Sequence, residues 1–222
     1  MAGATAYNEW IVDRARPWLH GRVLDVGAGI GTHTVQLQPL ADEVVALEPE
    51  HEFAAILRAN VDGATVVEGG VDDVEGPFDA IVCFNVLEHI ADDTGTLRRF
   101  RELLTPHGTL LLLVPAHAAL FGTLDDAFGH ERRYGKRELR TKLDAAGFAP
   151  VVLRHVNPVA TVGWIVQAKL RRRPQMSHRG LDLYDRLVPA LRTLDRVPLP
   201  FGLSLWAVAK TTGTDTASAR NA

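Results

Sequence analysis

Cysteine occurs once in 222 residues and methionine twice. No apolar run approaches the roughly 20 residues that a membrane-spanning helix needs. The longest, over residues 109–116 and 158–168, fall well short. The lone thiol, Cys83, excludes an intrachain disulfide. It falls within Ala80-Ile81-Val82-Cys83-Phe84, where a small buried thiol in a reducing compartment is expected. The N-terminus carries no apolar segment of signal-peptide pattern, so a cytoplasmic protein is expected. An excess of one charge is lacking too. The 24 Lys and Arg against 27 Asp and Glu leave a formal charge of −3, which offers phosphate polymers no global attraction, so no nucleic-acid partner is expected. No Cys/His grouping has zinc spacing and no run suggests a nucleophilic triad, so no metal is expected.

What is present suits one buried domain, with 46% hydrophobic and 23% charged residues. Short β-branched runs alternate with amphipathic stretches from about Arg22 to Phe148, the pattern of βα units and a parallel sheet in an α/β protein. Strands are predicted over residues 22–26, 43–48, 65–68, 78–84, 109–114, 150–156 and 203–210, with helices between the first five. A helical leader over residues 1–20 sets Tyr7, Trp10, Ile11, Arg14 and Trp18 close to helical spacing. Between residues 157 and 200 a helical insertion or lid is expected, with Leu181, Tyr184, Leu187, Val188, Leu191 and Leu194 on one face and Asp182, Asp185, Arg186 and Asp195 outside it. The domain then covers residues 1–210, followed by a disordered tail over 211–222.

The chemistry begins at Asp25-Val26-Gly27-Ala28-Gly29-Ile30-Gly31. A buried strand runs into three glycines, and Thr32-His33-Thr34 can start the next helix through a hydroxyl cap. Gly27 and Gly29 permit a tight turn and close approach of a ligand, and Gly31 permits tight helix packing. The second strand ends at Glu48, whose carboxylate emerges beside this loop and can accept from two ribose hydroxyls. The spacing is G-x-G-x-G, not the G-x-G-x-x-G of dinucleotide sites. Asp25 would repel a diphosphate, whereas a sulfonium ligand with an ammonium group would favour it.

From about Leu24 to Phe148 these elements resemble the class I S-adenosylmethionine-dependent methyltransferase superfamily. The resemblance implies a Rossmann-like, seven-stranded, doubly wound sheet with helices on both faces and a helical insertion before the last strand. It also implies S-adenosylmethionine as cofactor. By resemblance, Asp25, Gly27, Ala28, Gly29 and Gly31 hold the methionine and ribose portion, Glu48 grips the ribose hydroxyls and Pro49 lines the adenine. Where many members carry an acid near the adenine amino group, this chain reads Glu68-Gly69-Gly70-Val71-Asp72-Asp73. Asp72 is then a shifted candidate, with the Gly70 and Val71 backbone as the alternative. Phe84-Asn85-Val86-Leu87-Glu88-His89-Ile90 resembles the segment after the fourth strand, with Asn85 offering a carbonyl to the cofactor ammonium and Val86 beside it. Glu88 and His89 read either as a polar pair that caps a helix or as ligand contacts.

The segment after the fifth strand, residues 115–134, should border the acceptor. Its Gly129-His130-Glu131-Arg132-Arg133-Tyr134, with Asp125 before it, resembles a Gly-His-x-Arg-Arg-Tyr motif in a bacterial branch of these enzymes. His130 suits a general base, with His89 and Tyr134 as further catalytic candidates. Arg132 and Arg133 suit an anionic acceptor group, or else ion pairs with Asp125 or Asp126. Tyr7, His117 and Asp125 complete the candidate acceptor contacts. The reading is methyl transfer to O, N or C of a small-molecule acceptor, anionic or partly apolar. Alternatives are a non-catalytic module that binds S-adenosylmethionine and an NAD-dependent oxidoreductase. The apolar tract 159–170 followed by Arg171-Arg172-Arg173 admits peripheral lipid contact.

Overall fold

A computed structural model describes residues 4–164, 185–188, 192, 197 and 199–212. Seven strands form one sheet: β1 (Arg22–Val26), β2 (Glu43–Glu48), β3 (Thr65–Glu68), β4 (Phe78–Phe84), β5 (Leu104–Pro115), β6 (Phe148–Val156) and β7 (Ser204–Thr211). Their order is β3-β2-β1-β4-β5-β7-β6. The first five are parallel, and β7 runs antiparallel to both β5 and β6, so the sheet is mixed rather than wholly parallel.

Alternation along each strand sends side chains to opposite faces. In β4 and β5, Ile81, Cys83, Leu110, Leu112 and Val114 meet one helical layer, built from α4 (Asp93–Leu103) and α6 (Lys136–Ala145). Ala80, Val82, Phe84, Leu111 and Leu113 meet the other, built from α1 (Thr5–Ala15) and α2 (Thr34–Leu37). A third helix, α3 (His51–Asn60), lays Leu57 over Ala46 of β2. Within the leader read over residues 1–20, α1 packs with Tyr7, Trp10 and Ile11 buried, and a single 3-10 turn over Arg16–Trp18 follows it.

Several boundaries differ from the sequence reading. No helix stands between β3 and β4, because Gly69, Gly70, Gly76 and Pro77 break a connection too short to hold one. Extended backbone continues through Pro106 and Gly108, so β5 starts at Leu104, opposite Phe78, rather than at Thr109. β6 starts at Phe148 rather than Pro150, because Phe148 pairs with Thr211, and this pairing also makes Thr211 part of β7 instead of the tail. Residues 213–222 of that tail lie outside the described residues.

Of the insertion expected over residues 157–200, the described parts include α7 (Pro158–Trp164) and a helical stretch over residues 185–188; α5 (Thr123–Phe128) lies earlier, after β5. Val188 is buried as expected, but Leu187 is exposed. Asp185 accepts from the backbone N–H of Ala6 (3.2 Å) and Tyr7 (2.9 Å), which ties this stretch to the start of α1. Leu181, Asp182, Tyr184, Leu191, Leu194, Asp195 and the arginines of 171–173 lie outside the described residues.

Phe100 of α4 is wholly buried against the sheet. Truncation to alanine removes a ring the surroundings cannot fill, so Phe100→Ala should cost about 3–5 kcal/mol, read as a lowered midpoint in urea unfolding.

Candidate active site

The glycine loop leaves β1 with left-handed backbone at Gly27 (φ 67°), Gly29 (φ 58°) and Gly31 (φ 91°), which glycine adopts without strain. A Cβ on Gly27 would stand 2.5 Å from Val86 Cγ2, and one on Gly31 would stand 2.7 Å from Val61 Cγ2. Around Gly29 the space is open. The N–H groups of Gly27 and Ala28 both donate to the Leu47 carbonyl, at 2.8 and 3.0 Å. Glu48 is buried and accepts from the Gly29 N–H through Oε2 (2.7 Å) and from the Glu50 N–H through Oε1 (3.0 Å). Each oxygen keeps a further lone pair.

Asp25 lies buried behind the loop and accepts from Thr34 Oγ1 at 2.7 Å. The expected hydroxyl cap is therefore absent: His33 stands at the N-cap without a side-chain bond, and the Thr34 hydroxyl is spent on Asp25. Burial pushes the Asp25 carboxyl up to about 7; the Thr34 hydrogen bond opposes this and the nearby Glu48 adds to it.

The exit of β4 lies against the same loop. Asn85 is left-handed (φ 55°) and donates its N–H to Leu113 O at 2.8 Å, and Val86 packs on Gly27. Beyond β3, the Gly70 N–H donates to Asp73 Oδ2 (2.7 Å), while Val71 O accepts from Arg99 Nε at 3.3 Å. Asp72 points into solvent and pairs with Arg99 at 3.4 Å, and Pro49 is exposed beside Glu48.

Residues 85–93 and 115–134 meet in a second cluster. The Glu131 N–H donates to Glu88 O at 2.9 Å and Tyr134 N–H to Pro115 O at 2.8 Å, which folds the loop back over the exit of β4. Asp125 is fully buried and organises it: Oδ1 faces His130 Nδ1 (2.9 Å) and accepts from Arg133 Nε (2.7 Å), and Oδ2 accepts from the Gly122 N–H (2.9 Å). Burial alone would raise the Asp125 carboxyl, but His130 and Arg133 hold it below the usual range. Arg133 is buried, donates also to Ala116 O (3.2 Å) and stacks over Trp164 at 4.2 Å.

Arg132 and Tyr134 belong to a separate network on Asp93. That carboxylate takes Arg132 Nη1 at 2.9 Å, Lys142 Nζ at 2.6 Å and the Tyr134 hydroxyl at 2.9 Å. Tyr134, a catalytic candidate from sequence, is fully buried there, its hydroxyl also 3.2 Å from Leu87 O. Arg132 and Arg133, read as acceptor contacts or as ion-pair partners, are both engaged in ion pairs, Arg133 with Asp125 and Arg132 with Asp93. Asp125 likewise holds protein groups, and His117 stacks face to face on His155 at 4.8 Å.

What the structure does gather is Glu88, His89 and His130. Glu88 is fully buried, neither carboxyl oxygen has a hydrogen-bond partner, and burial pushes it up to about 8. His130 Nε2 lies 4.0 Å from Glu88 Oε1, and the His130 and His89 rings meet edge to face at 4.9 Å. His89 Nδ1 lies 3.0 Å from the Gly129 carbonyl. Tyr7 is buried, pushed up to about 12 by that burial, hydrogen-bonded to Asn157 and within the field of Glu88. The sequence reading left Glu88 undecided. Its adjacency to His89 at a strand exit was the available signal, but His130 reaches it only through the fold.

The profile of a family described as a methyltransferase domain matches residues 7–153. Among curated relatives, the ubiquinone biosynthesis O-methyltransferase of Xanthomonas axonopodis pv. citri is 33% identical over 112 residues, 47% of this chain and 46% of that one. The matched part thus spans under half the length of that relative. An S-adenosylmethionine-dependent methyltransferase structure from Mesorhizobium loti superposes with a TM-score of 0.64 at 18% identity, covering 91% of this chain and 97% of that one. A Burkholderia thailandensis 1,6-didemethyltoxoflavin-N1-methyltransferase, solved with its substrate and S-adenosylhomocysteine, gives 0.59 at 20%, covering 95% and 79%.

Replacing Asp125 by asparagine leaves Arg133 charged in a buried place. Asp125→Asn should lower stability by about 3–5 kcal/mol in denaturant titration near neutral pH. Because the folded carboxyl is held low, the wild-type advantage is full at neutral pH and should shrink as pH falls below about 4.

Proposed function

The chain belongs to the methyltransferase domain family, and from that membership we propose that it methylates a hydroxyl oxygen of a small, partly apolar molecule held over Glu88, His89 and His130. It is an S-adenosylmethionine-dependent methyltransferase with the Rossmann-like fold of that superfamily. The finer reading rests on one observation: Gly27 packs directly on Val86, so the glycine loop and the Glu88-His89 turn occupy the same carboxyl edge of β1 and β4. Ligands in such sheets bind at that edge.

On this reading Gly27, Ala28, Gly29 and Gly31 form the wall along the methionine and ribose, and Glu48 takes ribose hydroxyls on its spare lone pairs. Asp25 and the Asn85 carbonyl supply negative charge to the ammonium and sulfonium, and Val86 packs beside them. Adenine falls to Pro49 and the Gly70-Val71 backbone, since Asp72 is turned away to Arg99. The acceptor is neutral rather than anionic, because Arg132 and Arg133 are already paired. Oxygen as the methylated atom is supported by the O-methyltransferase relative, and by Glu88, whose unpartnered oxygens accept from a hydroxyl. A sulfonium methyl is already activated, so the site has to align the nucleophile and relieve it of its proton. Tyr7, buried near Glu88, closes the pocket on the α1 side. Among the described residues no helix is long and apolar enough to cross a membrane.

Incubation with methyl-labelled S-adenosylmethionine and a panel of hydroxylated and amino aromatics tests this. A label on hydroxyl oxygen is expected; label on nitrogen or carbon alone overturns the oxygen reading, and binding of NAD without S-adenosylhomocysteine overturns the cofactor. His130→Ala should lower turnover about 10²-fold with S-adenosylhomocysteine affinity near wild type. A collapse of that affinity would move His130 out of the acceptor site. Asp25 gives a pH signature. The free carboxyl holds its proton up to about pH 7, whereas a bound ammonium favours the ionised form, so binding releases a proton. Calorimetry should show S-adenosylhomocysteine affinity rising between about pH 6 and 8, and Asp25→Asn should bind more weakly with that rise removed.

A further inference from the structure

The Glu88, His89 and His130 side chains offer three ligand atoms that all lie within 4.8 Å of one another. Their hydrogen-bonding states follow from their neighbours. Asp125 stays ionised against Arg133, so the proton of a neutral His130 ring sits on Nδ1, 2.9 Å from Asp125 Oδ1. The Gly129 carbonyl can only accept, so the His89 proton likewise sits on Nδ1, at 3.0 Å. Both Nε2 atoms are then left with lone pairs. Glu88 adds two carboxyl oxygens without a partner, in a side chain that is fully buried.

Two imidazole nitrogens and a buried carboxyl therefore converge here, and no hydrogen bond joins Glu88 to His130. The Glu88 Oε1 to His130 Nε2 distance of 4.0 Å is too long for a direct hydrogen bond. It is near the separation of two ligands of one cation, which for bonds of about 2.1 Å is at most about 4.2 Å, so the three atoms, spread over up to 4.8 Å, have to draw together when an ion binds. Arg133 does not satisfy Glu88, since its guanidinium is bound to Asp125 and Ala116 O.

We infer that Glu88, His89 and His130 together bind one divalent transition-metal ion, with zinc(II) as the fitting choice. Two imidazoles and one carboxylate are a donor set of borderline softness that suits zinc and its neighbours rather than calcium or magnesium. Asp125 on His130 and the Gly129 carbonyl on His89 are the outer contacts that fix each ring's tautomer and leave Nε2 free to bind an ion. Gly129 holds its carbonyl there from a left-handed position (φ 73°) that ends α5. Three protein ligands leave a coordination position open.

The use of that open position rests on the methyl-transfer reading given above; the binding of the ion does not. An acceptor hydroxyl on the ion loses its proton to solvent. Its oxygen lone pair then forms the bond to the methyl carbon as the carbon–sulfur bond breaks, and the sulfur keeps that pair as a neutral thioether.

The test is a cobalt(II) titration of the chelator-stripped full chain, followed by visible absorption, beside His89→Ala and Glu88→Gln, with circular dichroism and S-adenosylhomocysteine calorimetry on the same samples. The expected result is one cobalt(II) per chain, displaced by zinc(II), with affinity at least tenfold lower in both variants. His89 is exposed, so its variant keeps the fold and the comparison holds if Glu88→Gln does not fold. Absence of saturable binding by the wild type, or wild-type affinity in folded His89→Ala, overturns the site. Cobalt binding without S-adenosylhomocysteine binding upholds the metal site and removes the methyl-transfer reading; the reverse removes the metal site alone.

Discussion

Where β1 and β4 leave the sheet side by side, Gly27 lies so close to Val86 that a single added carbon would stand 2.5 Å from its methyl group. That approach is possible only with glycine on one side and the left-handed turn of Asn85 leading into Val86 on the other. It brings together two segments whose chemistry differs. One presents loop backbone tied to Glu48, and the other presents Glu88 and His89. Register sets the approach, since Val26 pairs with Cys83 and both strands end within two residues of each other. A shift of one residue would turn Asp25 away from Thr34 and send alternate side chains to the wrong helical layer.

Among the described residues near this edge, two buried carboxylates are matched by cations and three, Asp25, Glu48 and Glu88, are not. Asp125 is matched by Arg133 and His130, and Asp93 by Lys142, Arg132 and Tyr134. These two carboxylates anchor opposite ends of the segment 125–142. Its arginines therefore act as scaffold, holding His130 over Glu88 and the loop over the exit of β4. Asp25 and Glu88, by contrast, are buried without a cation bonded to either.

Much of this was legible in the sequence, and the remainder was not for definite reasons. The strands β1 to β4 were placed residue for residue because short apolar or β-branched runs with sharp ends mark them, three of them buried and β3 at the sheet edge. The start of β5 was missed because Pro106 and Gly108 read as a turn while the backbone stayed extended at the sheet margin. The glycine loop, Glu48 and Asn85 were legible because each is fixed by local backbone demands. The Asp125 partner of Arg133 was among the options read, but the Asp93 partner of Arg132 was not, because it comes from another element at a separation that no periodicity records. The same applies to His130, whose approach to Glu88 depends on the loop's return and on a buried carboxylate that sets its tautomer.

A buried carboxyl with no bonded cation is costly unless hydrogen bonds or a ligand balance it, and of the carboxyls at this edge Glu88 has no hydrogen-bond partner and Asp25 has only Thr34. On the proposed reading, a cofactor bearing an ammonium and a sulfonium brings positive charge to Asp25 behind the glycine loop. Glu88 stands on the acceptor side, where a neutral hydroxyl brings only a hydrogen bond. The cofactor therefore balances one carboxyl and leaves the other. The proposed cation shared with His89 and His130 would balance the second, at the place where the nucleophile has to carry negative charge as it meets the methyl group. Separate balancing also keeps the two sites apart: the donor end depends on the loop and Asp25, and the acceptor end on a histidine pair oriented by Asp125 and Gly129.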